Sequence, residues 1–372
     1  MLKNHNSRDG VKMRVALLFD KLTELGGAER AAMILAKELN AEVFTTHVNW
    51  SLVGKEFKGI KTHETGLNFK NSKLLTYSEI ALRFWKLKLP KNFDVYLFYR
   101  VFSIAASKKH HPNIWLCNTP ARLVYDLHNL INERLNPFQK PIFNTWCFFY
   151  KILDQKFVNH LDKILSISKN VSNRIEKYHN RTAPVVYLPV ESEKHYCKGY
   201  ENFYLASGRL EVEKRFDIII EAFKEMPDKQ LKIAGDGSQR KRLEMLARNC
   251  ENIEFLGTLN SESLFDLYSR CTATIYMPID EDLGLVPLEA MASGKPCIVA
   301  NEGGCKETVI QGNTGFLIRP TKKEIIKYVK MLTPYVAKTM KKDCIKRAKE
   351  FDVKVFIKKI KKEIEHTISI TK

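Results

Sequence analysis

The stretch 280–296 reads DEDLGLVPLEAMASGKP, with seven residues between the two carboxylates Glu281 and Glu289. An ionised carboxylate only accepts hydrogen bonds, so a pair of them can grip several hydroxyls at once. Gly284 lies between them, and a short helical run, roughly 286–292, follows and stops at Ser293-Gly294. Pro287 fits a first helical turn, where its missing N–H leaves no bond unmade, and Gly294 fits a helix C-terminus. Glu281 is therefore expected in the loop before a helix and Glu289 on the helix. The loop Asp282-Leu283-Gly284 would aim free N–H groups outward, where the helix dipole adds positive potential. A phosphate carrying sugars suits such a site. An ordinary amphipathic helix entered through an acidic turn has the same pattern.

Other candidate groups sit at comparable places. Gly26-Gly27 separates an apolar run, MRVALLF, from a helix beginning near Ala28, and so lets a ligand approach backbone at a helix N-terminus. Asn118-Thr119-Pro120-Ala121-Arg122 follows the run NIWLC, with Asp126 four residues beyond Arg122. Polar groups at the carboxyl end of a parallel strand stand where open α/β sheets bind ligands. Arg122 could hold a phosphate and Asp126 a hydroxyl or a proton; a loop salt bridge is the plainer reading of both. Gly208-Arg209-Leu210 follows another strand-like run, FYLAS, with Lys214-Arg215 close behind. Gly235-Asp236-Gly237 comes between a strand and a helix, but Arg240 occupies the third glycine position of a dinucleotide fingerprint. Asp280-Glu281-Asp282 spells D-x-D, a metal-binding pattern elsewhere, here read as coincidence. His110-His111 lack a third ligand at recognisable spacing.

The elements that must position these groups alternate. Strands are expected near 13–19, 41–45, 94–99, 113–117, 162–168 and 184–188, then 203–207, 231–234, 253–256, 273–277, 297–300 and 315–318. Helices are expected between most of them, with Ser261 as the cap of the helix before Cys271. This is an α/β chain with two parallel sheets. At 372 residues two domains are natural. The polar, aperiodic stretch 189–200 gives the boundary: 1–190 for an N-terminal domain and 191–372 for a C-terminal one. The last helix, about 353–372, is expected to pack back on the first.

Sixty-one basic against 42 acidic residues leave a net charge of +19, which favours anionic partners. No nucleic-acid recognition motif appears, so that partner is not expected. The eight cysteines include no C-x-x-C pair, which argues against a disulfide framework and a zinc site. No run spans a bilayer, and the N-terminus lacks the apolar core of a signal peptide, so the chain is expected to remain cytoplasmic. The stretch 68–92 interleaves Leu74, Leu75, Leu82, Phe84 and Trp85 with Lys70, Lys73, Arg83 and Lys86. Such a basic amphipathic segment can lie on an anionic membrane; a helix packed on the sheet, with lysine stems across apolar surface, is the alternative. The aromatic cluster PIFNTWCFFY at 141–150 either extends that face or belongs to the core.

Taken together these motifs resemble a family 4 retaining glycosyltransferase of the GT-B fold. The matches are EDLGLVPLEAMASGKP, the following GG-x-x-E-T-V from Gly303 to Val309, and G-x-T-G-F with Gly312, Thr314, Gly315 and Phe316. GRL…EKR at 208–215, GDG at 235–237 and GGAER at 26–30 also match, in the family's order. The resemblance implies two Rossmann-like domains facing a cleft, 1–190 binding the acceptor and 191–372 the nucleotide sugar, with a GDP- or UDP-linked sugar as donor, no cofactor and no metal. Arg209 and Lys214 would bind the diphosphate, Glu281 the donor sugar and Glu289 the ribose. Amides of Gly284, Leu285 and Val286 would complete the grip, with Gly237, Gly26 and Gly27 close to substrate. No protein nucleophile is implied, since the leaving phosphate would help deprotonate the acceptor. One departure stands out: related transferases carry histidine in H-T-P-x-R, where this chain has Asn118. Asparagine can bond a hydroxyl but cannot shuttle a proton at neutral pH. The motifs resemble mannosyltransferases of polysaccharide assembly, so mannose transfer to a glycan or lipid-linked acceptor at the cytoplasmic membrane face is the leading expectation. Transfer to a soluble acceptor, or a catalytically weak sugar-nucleotide-binding protein, are the alternatives.

Overall fold

Continuous apolar runs make the central strands. VALLF, VYLFY, NIWLC and FYLAS are buried along their whole length, as strands covered on both faces must be. The computed structural model describes residues 13–23, 26–54, 58–69 and 72–371. They fall into two units, 1–165 with 361–372 and 166–360. In the first, strands β1 Val15–Phe19, β2 Glu42–Thr45, β3 Thr62–Glu64, β4 Val95–Tyr99, β5 Asn113–Cys117 and β6 Lys163–Ser166 lie in the order β3-β2-β1-β4-β5-β6. In the second, β7 Phe203–Ser207, β8 Gln230–Ala234, β9 Ile253–Gly257, β10 Ala273–Tyr276, β11 Cys297–Ala300 and β12 Gly315–Ile318 lie in the order β12-β11-β10-β7-β8-β9. Read from its own first strand, each sheet has the Rossmann order. The chain therefore reverses direction across each sheet between β1 and β4, and between β7 and β10, and ligands bind beyond the carboxyl ends of strands at such points.

Six helices carry the residues that matter below: α1 Gly27–Glu38, α2 Lys73–Lys86, α3 Gln139–Val158, α4 Lys169–His179, α5 Leu285–Ala292 and α6 Lys341–Lys349. The structure departs from expectation at four places. β3 is a strand the sequence hid, because three residues reading THE carry no apolar pattern. The stretch 184–188 is not a strand; it contributes one isolated bridge, Ser166 to Val185. Asn260, not Ser261, caps the helix Ser261–Arg270, its side chain accepting from the Ser263 amide at 2.8 Å. The contact boundary falls after Leu165 rather than near 190, because α4 bonds to loops of the second unit.

The first unit buries acids. The Asp20 carboxylate accepts from the amides of Val101, Phe102 and Ser103, yet burial still pushes it up to about 6. Asp154 on α3 accepts from the Tyr125 hydroxyl at 2.7 Å, and burial pushes it from 3.8 up to about 7. Between about pH 4 and 7 the native chain keeps a proton on Asp154 that the unfolded chain has released. Stability must fall as pH rises through that window and level off above it. Asp154→Asn is expected to remove this slope, leaving the smaller one from Asp20. At pH 8 it should be more stable than the parent by on the order of a few kcal/mol. Urea unfolding at pH 5 and pH 8 checks this; equal pH slopes for variant and parent would refute it.

Candidate active site

At the switch point of the second sheet, the loop leaving β7 carries Arg209 and Lys214, and the loop leaving β10 carries Glu281. Lys214 Nζ donates to Glu281 Oε2 at 2.5 Å and to the Tyr276 hydroxyl at 3.1 Å. Tyr276 in turn donates to Glu281 Oε2 at 3.0 Å. Burial first, and the Glu281 charge second, push the Tyr276 phenol well above its usual range, so it remains a neutral donor. Two donors thus converge on one oxygen of Glu281 and fix its orientation. Arg209 differs: its side chain is exposed and pairs with no described residue. Arg215, its neighbour in sequence to Lys214, is spent on structure, bonding the carbonyls of Met277 and Pro278 and the Glu302 carboxylate.

The expected helix is α5, with Pro287 inside its first turn and Gly294 after its end at φ 73°. Gly284 is its N-cap at φ 90°, a conformation that favours glycine. The amides of Gly284, Leu285 and Val286 donate to no acceptor among the described residues. They form an open set of donors at the positive end of the helix dipole. Glu289, one turn in, accepts from Tyr268 at 3.0 Å, and Tyr268 shares a 2.8 Å bond with Ser207 at the end of β7. Gly237 belongs to the packing here: a Cβ on it would fall 2.6 Å from the Leu210 carbonyl oxygen.

The loop bearing Glu281 is held from two sides. Gly303 and Gly304 press against its backbone, where an added Cβ would come within 2.4 Å of the Glu281 oxygen or 2.5 Å of the Asp282 oxygen. On the other side, α4 supplies Arg174, whose guanidinium bonds both Asp282 and, at 2.9 Å, Asp280. Asn170 donates to Asp280 Oδ1 at 3.1 Å and to the Glu281 carbonyl at 3.0 Å, and Ser168 bonds the Asp282 carbonyl. The two aspartates of D-x-D are therefore an ion-paired clamp. Glu307 receives the first amides of α4, from Lys169 at 2.7 Å and Asn170 at 2.9 Å. Sequence reading missed Arg174 and Asn170, because it placed α4 in the other domain; nothing in their local spacing points to a loop a hundred residues on.

In the first unit, Asn118 directly follows β5. Its Nδ2 donates to the Tyr99 hydroxyl at 3.1 Å, while its buried Oδ1 has no hydrogen-bond partner among the described residues. That oxygen can accept from a substrate hydroxyl. Arg122 and Asp126, four residues apart in the loop after β5, form the plainer salt bridge, Nε to Oδ2 at 2.7 Å. The Gly26 amide is taken by Glu29 at 3.1 Å, and Gly27 opens α1. Glu29 also binds Arg100 at 2.5 Å. Arg100 directly follows β4 at φ 83°, a strained conformation for arginine, with its carbonyl held by Trp115 at 2.6 Å. Neither residue was singled out from sequence, although Glu29 lies within GGAER.

The model of the family described as Glycosyl transferases group 1 matches residues 190–351. An uncharacterized glycosyltransferase of Methanocaldococcus jannaschii is 34% identical over 158 residues, 42% of this chain and 45% of that one. The O-antigen chain mannosyltransferase of Salmonella typhimurium is 28% identical over 176 residues, 45% of this chain and 50% of that one. The chain thus spans about half the length of these curated relatives. Among solved structures, an Anabaena protein in complex with UDP and glucose superposes with a TM-score of 0.72 at 17% identity, over 95% of this chain and 100% of that one. The fold of the two sheets is the GT-B fold.

Proposed function

We propose, from the match of residues 190–351 to the family described as Glycosyl transferases group 1, that the chain is a retaining glycosyltransferase whose second unit binds a nucleotide-diphosphate sugar. The observation that carries this reading is the open set of amides at Gly284, Leu285 and Val286 beside Lys214, Glu281 and the unpaired Arg209. The amides, Arg209 and Lys214 bind the diphosphate; Glu281 holds sugar hydroxyls and Glu289 the ribose. As the bond from the anomeric carbon to the phosphate oxygen breaks, negative charge grows on the diphosphate, and these donors stabilise it. The acceptor hydroxyl forms the new glycosidic bond on the same face, and its proton passes to the leaving phosphate. Asn118 Oδ1 orients the acceptor and carries no proton. Mannose, from GDP-mannose, is the first candidate, by the resemblance to mannosyltransferases. A panel of nucleotide sugars tested by thermal unfolding checks the reading. The true donor is expected to raise the midpoint by mass action, about 2.7 kcal/mol at one hundred times its Kd. A panel in which no nucleotide or nucleotide sugar shifts the midpoint would overturn it.

The acceptor is a glycan or lipid-linked chain at an anionic membrane face, and the first unit supports this. α3 exposes Ile142, Phe148, Phe149, Ile152 and Leu153, and α2 exposes Leu75, Leu82 and Trp85. The helices meet where Trp146 Nε1 donates to Ser78 at 2.8 Å, so the aromatic cluster divides: Phe143, Cys147 and Tyr150 enter the core, Trp146 stacks on Tyr150 at the seam, and Ile142, Phe148 and Phe149 face outward. The only carboxylates on these helices, Glu79 and Asp154, are buried, which leaves their exposed charges basic. An apolar face rimmed by lysine suits an anionic bilayer. No described helix is long and apolar enough to cross one. Sedimentation with anionic vesicles should capture the protein at low salt, and Phe148→Ser with Phe149→Ser should release it. Failure to bind at low salt would leave the soluble-acceptor alternative.

A further inference from the structure

Lys295 is fully buried, and no carboxylate pairs with it among the described residues. Its ammonium donates to the Gly199 carbonyl and lies 3.6 Å from the centroid of the Tyr200 ring. Burial lowers its pKa. A buried cation without a counter-charge is costly, and the surroundings gain from any anion nearby. Gly199 and Tyr200 are also the wall of a cavity of about 420 Å³, within the range of small-molecule sites. Lys198, Tyr335, Lys338 and Lys341 line the same cavity, and no carboxylate does among the described residues. Lys198 is engaged by Asp266 at 2.7 Å, but Lys338 and Lys341 pair with no described carboxylate. Lys341 is the first residue of α6, so the positive end of that helix adds to the field.

This cavity is separate from the donor site. Its Cys197 to Tyr200 edge precedes β7, whereas Arg209 and Lys214 follow that strand's carboxyl end. The stem of Lys341 also touches Gly294 behind α5: a Cβ on Gly294 would fall 2.9 Å from Lys341 Cγ.

We propose that this cavity is a second anion site that takes a small phosphate monoester, with Lys338 and Lys341 on the phosphate and the Tyr335 ring against its organic body. Two ammonium groups suit a phosphate dianion, and the buried Lys295 supplies a fixed positive background. An exposed aromatic face suits a sugar ring. The site is independent of the donor-binding groups.

Cys197 lines the cavity and is partly exposed, so its alkylation by iodoacetamide reports occupancy in the full chain. Peptide mass spectrometry would follow Cys197 with inorganic phosphate, a hexose 6-phosphate, or sodium chloride at equal ionic strength. Both phosphates are expected to slow the alkylation and chloride is not. Lys338→Ala, and separately Lys341→Met, which keeps the stem on Gly294, should each raise the phosphate concentration needed by about tenfold, one charge-assisted bond apiece. Arg209→Ala should leave the protection unchanged. Equal protection by chloride, protection unaffected by both lysine variants, or protection lost with Arg209→Ala would each overturn the proposal. The last result would assign the phosphate to the donor site and leave that reading intact.

Discussion

Glu281→Ala is expected to lower turnover of the nucleotide-sugar donor by roughly 10²–10³-fold, and Lys214→Ala by a comparable factor. The two side chains share one part-buried ion pair, with Tyr276 as a third member, so neither acts alone. On the proposed reading, removing Glu281 takes away the carboxylate that accepts from the sugar hydroxyls, and it leaves Lys214 without its counter-charge. Removing Lys214 takes a cation from the developing diphosphate charge and frees Glu281 to swing. The effects should therefore be far from additive, and the double variant should be little worse than either single one. Steady-state kinetics of all three variants, with thermal midpoints to show that each is folded, provide the measurement. If either single variant keeps turnover within a few-fold of the parent, the assignment of this pair to the donor fails.

Arg174→Ala is the second large effect, and it touches no substrate. The guanidinium is 6% exposed and joins Asp280 and Asp282 across the loop that carries Glu281. Breaking a buried pair costs about 3–5 kcal/mol; the lower end applies, because Asp280 is 44% exposed and can regain water. That corresponds to a fall in thermal midpoint on the order of 10 °C for a unit of this size. Donor affinity should weaken as well, since the clamp sets where Glu281 stands. Arg174→Lys should recover only part, because one ammonium cannot make both fork contacts. Calorimetry with and without nucleotide separates the two consequences. An unchanged midpoint together with unchanged nucleotide binding would show the clamp to be incidental.

The contrast between these two sites shows what the sequence could and could not reveal. Glu281, Gly284 and Glu289 were legible because a loop, a glycine and a helix follow one another within a dozen residues. Local chemistry there determines local structure: Pro287 and Gly294 mark the ends of α5, and the apolar run between them sets its length. The parallel sheets were legible for the same reason, since fully buried strands are uninterrupted apolar runs. β3 was not, being three polar-leaning residues at a sheet edge. Arg174, Asn170 and Arg100 were illegible for a different reason. Each acts through a partner 71 to 111 residues away, and no spacing rule spans such a separation. Asn118 lies between the cases. Its departure from a family histidine was visible, but its bond to Tyr99, 19 residues away, and its open Oδ1 arise only once the neighbouring strands pair.

The helix α4 carries a lesson for dissecting the chain. Every group assigned to the donor, and every group that holds those groups in place, lies between residues 166 and 360. A fragment begun at 191, where composition suggests the seam, would discard Ser168, Asn170 and Arg174 and leave the Glu281 loop braced on one side only. A fragment begun at 166 keeps the brace. On the proposed reading, recognition of the nucleotide belongs to a contiguous cassette whose left margin is a helix that reads, in sequence, as the end of something else.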